Sequence, residues 1–258
     1  MSSILYNVRN GVAHISLNRP EKYHSFNKEM ALLLQEKLDE AAADDAVRCV
    51  LLSATGKAFC AGQDLGETND PTALDFQQII TERYNPIILR LREMNKPVVC
   101  GVNGVAAGAG ANLALAGDIV LAKQSAVFVQ AFINIGLIPD CGGTFILPRL
   151  IGAQRAMALC ITGEKVSGDE AMKMGMVYKS FPDEDFETEC IAMAEKLAQL
   201  PTAGIALTKK LMNQSFDNTL AKQLEQEMLL QVEAGKTSDF KEGVNAFMQK
   251  RKPVFTGK

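Results

Sequence analysis

Apolar and polar residues alternate in two runs within residues 4–20, ILYNVRNGVAHISLNRP, and Asn10-Gly11 sits between them. Alternation on both sides of Asn-Gly predicts a β-hairpin. The period then lengthens. Met30, Leu33, Leu34 and Leu38 recur at helical spacing, and Asn27 is placed to cap a helix running to about residue 43. VRCVLLSA, residues 47–54, reads as a buried β-rich strand. A polar loop follows it, and then a helix over about residues 73–93. KPVVCGVNG is the next buried strand, and it runs into VAAGAGANLALAGD. IVLA and AVFV predict further short strands. Beyond residue 150 the pattern is almost wholly helical. Strands alternating with helices predict an α/β architecture with mainly parallel pairing. Helices gathered at the C-terminal end suggest a lid or an oligomerisation element.

With 258 residues and 47% hydrophobic content, the chain suits one large domain, or a core domain with a small appendage. There is no internal repeat and no low-complexity linker. The net charge of -3 gives no sign of a nucleic-acid footprint. The N-terminal residues lack a cationic stretch followed by a long apolar one, and no apolar run approaches the ~18 residues of a membrane span. Six scattered cysteines with no CxxC pair read as reduced, mostly buried thiols of an intracellular, cytoplasmic protein. The two histidines, His14 and His24, have no ligand-spaced neighbours, so neither a metal site nor a histidine-based triad is expected.

Three glycine-containing loops remain: GKAFCAGQDL (56–65), GVAAGAGANLALAGD (104–118) and GLIPDCGGTF (136–145). Small residues where a strand ends let backbone N–H groups approach a ligand closely. Neither a dinucleotide fingerprint nor a Walker A pattern is present. Tight packing alone would account for either of the first two loops. In the third, Asp140 has an ordinary reading as a turn or helix-capping aspartate before Gly142-Gly143-Thr144.

Taken together and in this order, LNRPEKYHSFN, GKAFCAGQDL, NGVAAGAGANLALAGDI and GLIPDCGGTFILPRLIG resemble the crotonase superfamily, the enoyl-CoA hydratase/isomerase family, over essentially the whole chain. The nearest likeness is to its CoA-thioester isomerases of aromatic-acid breakdown, through FCAGQDL, YNPI, NGVAAGAGA, GLIPDCGGT, EGVNAF and FTGK. The resemblance implies a ClpP/crotonase-like β-β-α spiral core over 1–195 and a helical C-terminal lid or trimerisation region over 196–258. Trimers or dimers of trimers are usual in that family. The implied substrate is an acyl-CoA thioester, with CoA part of the substrate and no separate cofactor. No nucleic-acid or membrane partner is implied.

By the matched motifs, the backbone N–H groups of Gln63 and Ala109 would hold the thioester oxygen. The two glutamates of the family's hydratases fall at Asn112 and Phe132. An asparagine and a phenylalanine there argue against efficient hydration. Asp140 matches a catalytic acid and would be the sole proton shuttle, its pKa raised by desolvation among Ile135, Leu137 and Ile138. Lys22 would face CoA phosphates. Ala61, Asp64, Leu65, Tyr84, Asn85, Gly108, Asn112, Phe132, Ile135 and Pro139 would line or orient the substrate, although Asp64 and Asp118 also suit purely structural roles, and Tyr84 a helix surface. Phe255 and Lys258 would close a CoA site, or form a frayed tail. The activity implied is isomerisation through a thioester enolate, either epoxide opening on an aromatic acyl group or a 3-to-2 double-bond shift. The rivals are a true hydratase, an aryl-CoA dehalogenase and a non-catalytic scaffold or RNA binder. The dehalogenase chemistry relies on a tryptophan, which this chain lacks.

Overall fold

The structure, a computed structural model, describes residues 2–67, 70, 72 and 74–258. The chain opens with β1 (Ile4–Arg9) and β2 (Val12–Leu17), an antiparallel hairpin in which Ile4 faces Leu17 and Arg9 faces Val12. Asn10 and Gly11 both take positive φ, 53° and 75°, as a two-residue hairpin turn requires. Helix α1 (Lys28–Ala43) starts where Asn27 accepts the Met30 N–H, and it buries Met30, Leu34 and Leu38.

From there strands alternate between two sheets. β3 (Cys49–Ala54), β5 (Val98–Val102) and β7 (Ile119–Lys123) extend the first sheet in parallel. β4 (Ala58–Cys60), β6 (Val105–Ala107) and β8 (Val127–Val129) build the second. Each first-sheet strand therefore hands over to a second-sheet strand, and the chain then leaves for a helix. That is the expected β-β-α spiral. β9 (Lys165–Ser167) and β10 (Lys179–Phe181) finish the sheets, whose orders are β1-β2-β3-β5-β7-β10 and β4-β6-β8-β9.

All five residues of Val98–Val102 are buried, as befits a parallel strand covered on both faces. One face packs against α1 and the interior of the spiral. The other is covered by α8 (Phe186–Ala198), whose Phe186, Cys190, Ala194 and Ala198 fall four residues apart and meet Val12, Cys49, Leu51, Val99 and Leu121.

The sequence pattern missed β4, β6, β9 and β10. The pattern places residues 58–60 in a loop and 165–167 and 179–181 in helical sequence, where the structure has strands. The helix expected over 73–93 begins at Phe76, where Asp75 accepts the Gln78 N–H as its cap; residue 73 lies outside the described residues. It comprises α2 (Phe76–Gln78), a π-helical turn (Ile79–Tyr84) and α3 (Asn85–Glu93).

The remaining helices are α4 (Ala109–Leu115), α5 (Gly143–Ile151), α6 (Ala153–Thr162), α7 (Gly168–Lys173), α9 (Thr202–Gln214), α10 (Leu220–Ala234) and α11 (Ser238–Met248). Lys209 on α9 is buried. It donates to Leu91 O at 2.7 Å and pairs with Asp118 Oδ2 at 2.8 Å, while the same Asp118 oxygen accepts the Val98 N–H. Asp118 is thus a structural residue joining α9 to the first sheet.

The C-terminal tail is docked rather than frayed. Arg48 donates to Phe255 O, Asp239 accepts the N–H groups of Thr256 and Gly257, and Lys258 pairs with Asp45. All six cysteines are free; five are buried and Cys160 is half-buried. Among the described residues, no helix is long and apolar enough to cross a membrane.

Candidate active site

The first loop leaves β4 and is held from below by the segment before α1. Phe26 N–H donates to Gly62 O at 2.7 Å, and Asp64 N–H donates to Phe26 O at 2.9 Å. Gln63, between them, is left with an N–H that has no acceptor among the described residues. Gly62 has φ +90°, and a side chain there would sit 3.0 Å from Ala107 O and 3.6 Å from Ala109 N. Only glycine allows this approach.

Asp64 is fully engaged within the protein: Arg19 pairs with one carboxylate oxygen at 2.9 Å and the Gly66 N–H donates to the other at 3.0 Å. It anchors the loop, which corrects its expected place among substrate contacts. His24 is likewise structural. It is buried, accepts the Arg19 N–H through Nδ1 and meets Thr55 O through Nε2.

The second loop passes through Gly108 (φ +53°) into α4, and all seven residues of α4 are buried. A Cβ on Gly110 would fall 2.2 Å from Cys60 O, so α4 lies directly against β4. Ala109, the first residue of α4, has an N–H with no partner within the helix and none elsewhere among the described residues. The buried Phe132 ring covers Gly108, 3.6–3.9 Å from where a Cβ would be.

The third loop carries Asp140. Cys141 and Gly142 follow with φ +52° and +74°, and α5 begins at Gly143. Asp140 does not cap that helix: the cap residue is Gly142, with no side-chain bond, and Asp140 Oδ1 is buried without any partner. Burial pushes its carboxyl above the ordinary value, opposed by the Cys141 thiol and by its own backbone N–H. The expected source of that desolvation needs correction. Ile135 is 60% exposed and Ile138 81% exposed, so neither buries the carboxylate within this chain. Its near neighbours are instead Cys141 and the buried Tyr84, whose hydroxyl is held up chiefly by burial and in part by the Asp140 charge.

The second and third loops meet the helix carrying Tyr84 at a small apolar cavity of about 10 Å³, lined by Phe26, Tyr84, Ile87, Ile88, Ala109, Leu113 and Cys141. Tyr84 is no surface residue. It leaves the π-helical turn, packs edge-on to Phe26 with ring centroids 5.8 Å apart, and donates to Gln63 Oε1 at 2.5 Å. The cavity therefore gathers Ala109 directly, Gln63 through Tyr84, and Asp140 through Cys141.

Other expected contacts lie outside it. Lys22, Ala61, Leu65, Asn85 and Ile135 are exposed, and Pro139 is half-buried. Lys22 does precede Tyr23, whose carbonyl accepts the Ala61 N–H at 2.9 Å. Phe255 and Lys258 belong to the docked tail. The side chain of Asn112 is also engaged: its Nδ2 donates to Asp140 O and its Oδ1 accepts from Gln130. It does not reach towards a ligand. Sequence reasoning missed Phe26, Cys141 and Gln130. The first two lie inside the quoted motifs beside residues that were noticed, whereas no local signal marks Gln130.

An apolar cavity with one unpartnered N–H group on its wall, and a second such group and a desolvated carboxylate each one residue removed from it, suits one kind of chemistry. A carbonyl oxygen could gain negative charge against the amides while the carboxylate takes a nearby proton.

The family described as enoyl-CoA hydratase/isomerase matches residues 7–258. The 1,2-epoxyphenylacetyl-CoA isomerase of Escherichia coli (strain K12) is 49% identical over 261 residues, which cover 100% of this chain and 100% of that protein. The trans-2-decenoyl-acyl-carrier-protein isomerase of Streptococcus mutans is 40% identical, covering 99% of this chain and 98% of that protein. Among solved structures, an enoyl-CoA hydratase from Bacillus anthracis superposes with a TM-score of 0.92 at 32% identity, covering 99% of this chain and 100% of that one.

Proposed function

The chain belongs to the enoyl-CoA hydratase/isomerase family, and from that premise we propose that it is an acyl-CoA isomerase working through a thioester enolate. Its foremost substrate in this reading is 1,2-epoxyphenylacetyl-CoA, opened to the oxepin, with a 3-enoyl to 2-enoyl double-bond shift as a second activity. The observation that carries the reading is the Asp140 carboxylate, desolvated and with Oδ1 unpartnered beside the cavity. The likeness to two proteins named as isomerases supports it.

In the double-bond shift, Asp140 takes the proton from the carbon next to the thioester carbonyl. The electron pair left behind moves onto the thioester oxygen, where the N–H groups of Gln63 and Ala109 receive it. Collapse of the enolate then draws the proton from Asp140 back onto the substrate two carbons further along. One carboxylate serves both transfers, and no water is consumed. A single donor of this kind is worth roughly 2.7–4 kcal/mol of barrier. Because the donors are main-chain groups, the charge stabilisation itself does not depend on the chemistry of the side chains at residues 63 and 109.

Hydration is the second reading, since the family and the structural neighbour carry that name. Against it stand Asn112, whose amide is occupied, and Phe132, whose ring fills the space over Gly108.

Lys22 is assigned to the CoA phosphates, with no cofactor beyond CoA itself. The region 196–258 is assigned to trimer or hexamer assembly, supported by exposed apolar residues on α10 (Leu220, Leu224, Met228, Val232) and α11 (Phe240, Val244, Phe247). Six free cysteines accord with a reducing, cytoplasmic setting.

The test is a parallel assay of the purified protein on crotonyl-CoA, a 3-enoyl-CoA and 1,2-epoxyphenylacetyl-CoA, with oxepin-CoA followed spectroscopically. Isomerisation should dominate. Hydration outpacing both isomerisations would overturn the reading.

A further inference from the structure

We propose that Asn112 is the positioning residue of Asp140, its amide fixed in turn by Gln130; this inference rests on the acid/base role given to Asp140 above. Asn112 is only 1% exposed, in the middle of α4, away from any solvent that could satisfy its amide. Its Nδ2 donates to the main-chain oxygen of Asp140 at 2.9 Å. Its Oδ1 accepts from Gln130 Nε2 at 2.8 Å. The acceptor-only carbonyl of Asp140 selects the Nδ2 end of the Asn112 amide, and Gln130, also buried and just beyond β8, holds its oxygen end. A reversed amide would set two donors against each other at Gln130 and two oxygens against each other at Asp140.

Asp140 O is thus doubly occupied, because Gly143 N–H also donates to it at 2.9 Å. Two donors on one carbonyl fix the plane of the peptide that follows Asp140. That peptide leads into a turn the backbone does not favour, with Cys141 at φ +52° despite its side chain and Gly142 at +74°. The packing is shaped around the amide as well. A Cβ on Gly143 would lie 2.2 Å from Asn112 Nδ2, so residue 143 leaves room for this contact only as glycine. The carboxylate itself has no partner on Oδ1 to hold it. Its placement depends on its main chain, and its main chain depends on Asn112.

The experiment uses the full-length protein and 3-enoyl-CoA isomerisation, with Asn112→Leu, Gln130→Leu, Asp140→Asn and the double variant Asn112→Leu/Asp140→Asn. Displacing a reacting group by about 1 Å costs on the order of 10²-fold in rate. Asn112→Leu should therefore lose about that factor in kcat with KM changed less than about threefold, because CoA binding and the backbone donors are intact. Gln130→Leu should show the same split with a smaller loss, about tenfold. In the Asp140→Asn background, Asn112→Leu should cost nothing further, since the group it positions is gone.

Folded Asn112→Leu with near wild-type kcat would overturn the proposal, as would losses that multiply in the double variant. If Asn112→Leu fails to fold, Gln130→Leu decides alone, and a KM rise with unchanged kcat there counts against positioning. Full turnover by Asp140→Asn is a separate outcome. It would remove the acid/base reading itself, and it is read without touching Asn112.

Discussion

Replacing Asp140 by Asn keeps the shape of the side chain and removes its charge, so rate and stability should move in opposite directions. A positioned acid/base contributes about 10²–10⁴-fold to rate, and kcat for isomerisation should fall within that range. KM should stay nearly constant, because in the proposed mechanism the thioester oxygen is held by the Gln63 and Ala109 amides, which the substitution leaves in place. Stability follows from the carboxylate's surroundings: Oδ1 is buried and unpartnered, and burial raises the pKa above its ordinary 3.8. In the unfolded chain the group titrates at the ordinary value, so between that value and the raised folded pKa the folded chain binds the proton more tightly. Stability therefore falls as pH rises through this window and stays lower above it. Asn removes that dependence. Leaving a buried polar group unpaired costs about 1–3 kcal/mol, and because Asp140 is only half-buried the lower figure of about 1 kcal/mol applies. For a chain of this size, that raises Tm by about 2–4 °C. Calorimetry at about pH 8 should show the variant melting above the wild type, with the gap narrowing only as the pH falls to the carboxylate's ordinary 3.8. A variant that melts lower at the higher pH, or a gap indifferent to pH, would refute the account of the carboxylate, and a kcat loss below tenfold would refute its role.

Gly110→Ala sets a methyl 2.2 Å from Cys60 O, a backbone atom with no freedom to swing aside. It should cost at least about 3 kcal/mol in denaturant unfolding or abolish soluble expression, with the donors displaced in any folded fraction. Lys209→Met strands Asp118 beneath α9, and breaking such a buried pair should lower stability by about 3–5 kcal/mol in urea titration. Tyr84→Phe removes the hydroxyl that meets Gln63. The loss of about 1 kcal/mol should appear as roughly a fivefold drop in kcat/KM with the fold unchanged by circular dichroism.

Much of the fold was legible because its elements announce themselves locally. Asn10-Gly11 supplies the two positive φ angles of a tight hairpin, and Asn27 supplies an oxygen at the start of α1. The unbroken apolar runs at β3 and β5 belong to strands covered on both faces. By contrast, β4, β6, β9 and β10 have three residues each, too few to show a period of two. They exist because a neighbouring strand offers its backbone, parallel for β4, β6 and β10 and antiparallel for β9, and no single strand's sequence records that. The candidate site divides in the same way. The unpartnered N–H groups of Gln63 and Ala109 lie in loops whose glycines are visible in the sequence. The surroundings of Asp140 are not written in its sequence neighbours, since Ile135 and Ile138 are exposed. Tyr84, which feels the Asp140 charge, comes from another helix, and Gln130 acts on the Asp140 loop through α4, so both relations needed the folded chain.

The wide turn at Ile79–Tyr84 gives this wall of the cavity a spare residue. A regular helix advances about 100° per residue, and a π turn holds one residue more than the regular path needs. Ile87 and Leu91 fix the C-terminal portion of this helix in the core. Removing a single residue between Gln78 and Tyr84 would therefore restore ordinary α-helix and leave the side chains on both flanks facing as before. The same removal between Ile87 and Leu91 would turn everything on one side of it by about 100°, and the two could not both stay buried. A one-codon difference is thus absorbed at this turn and disruptive a few residues later.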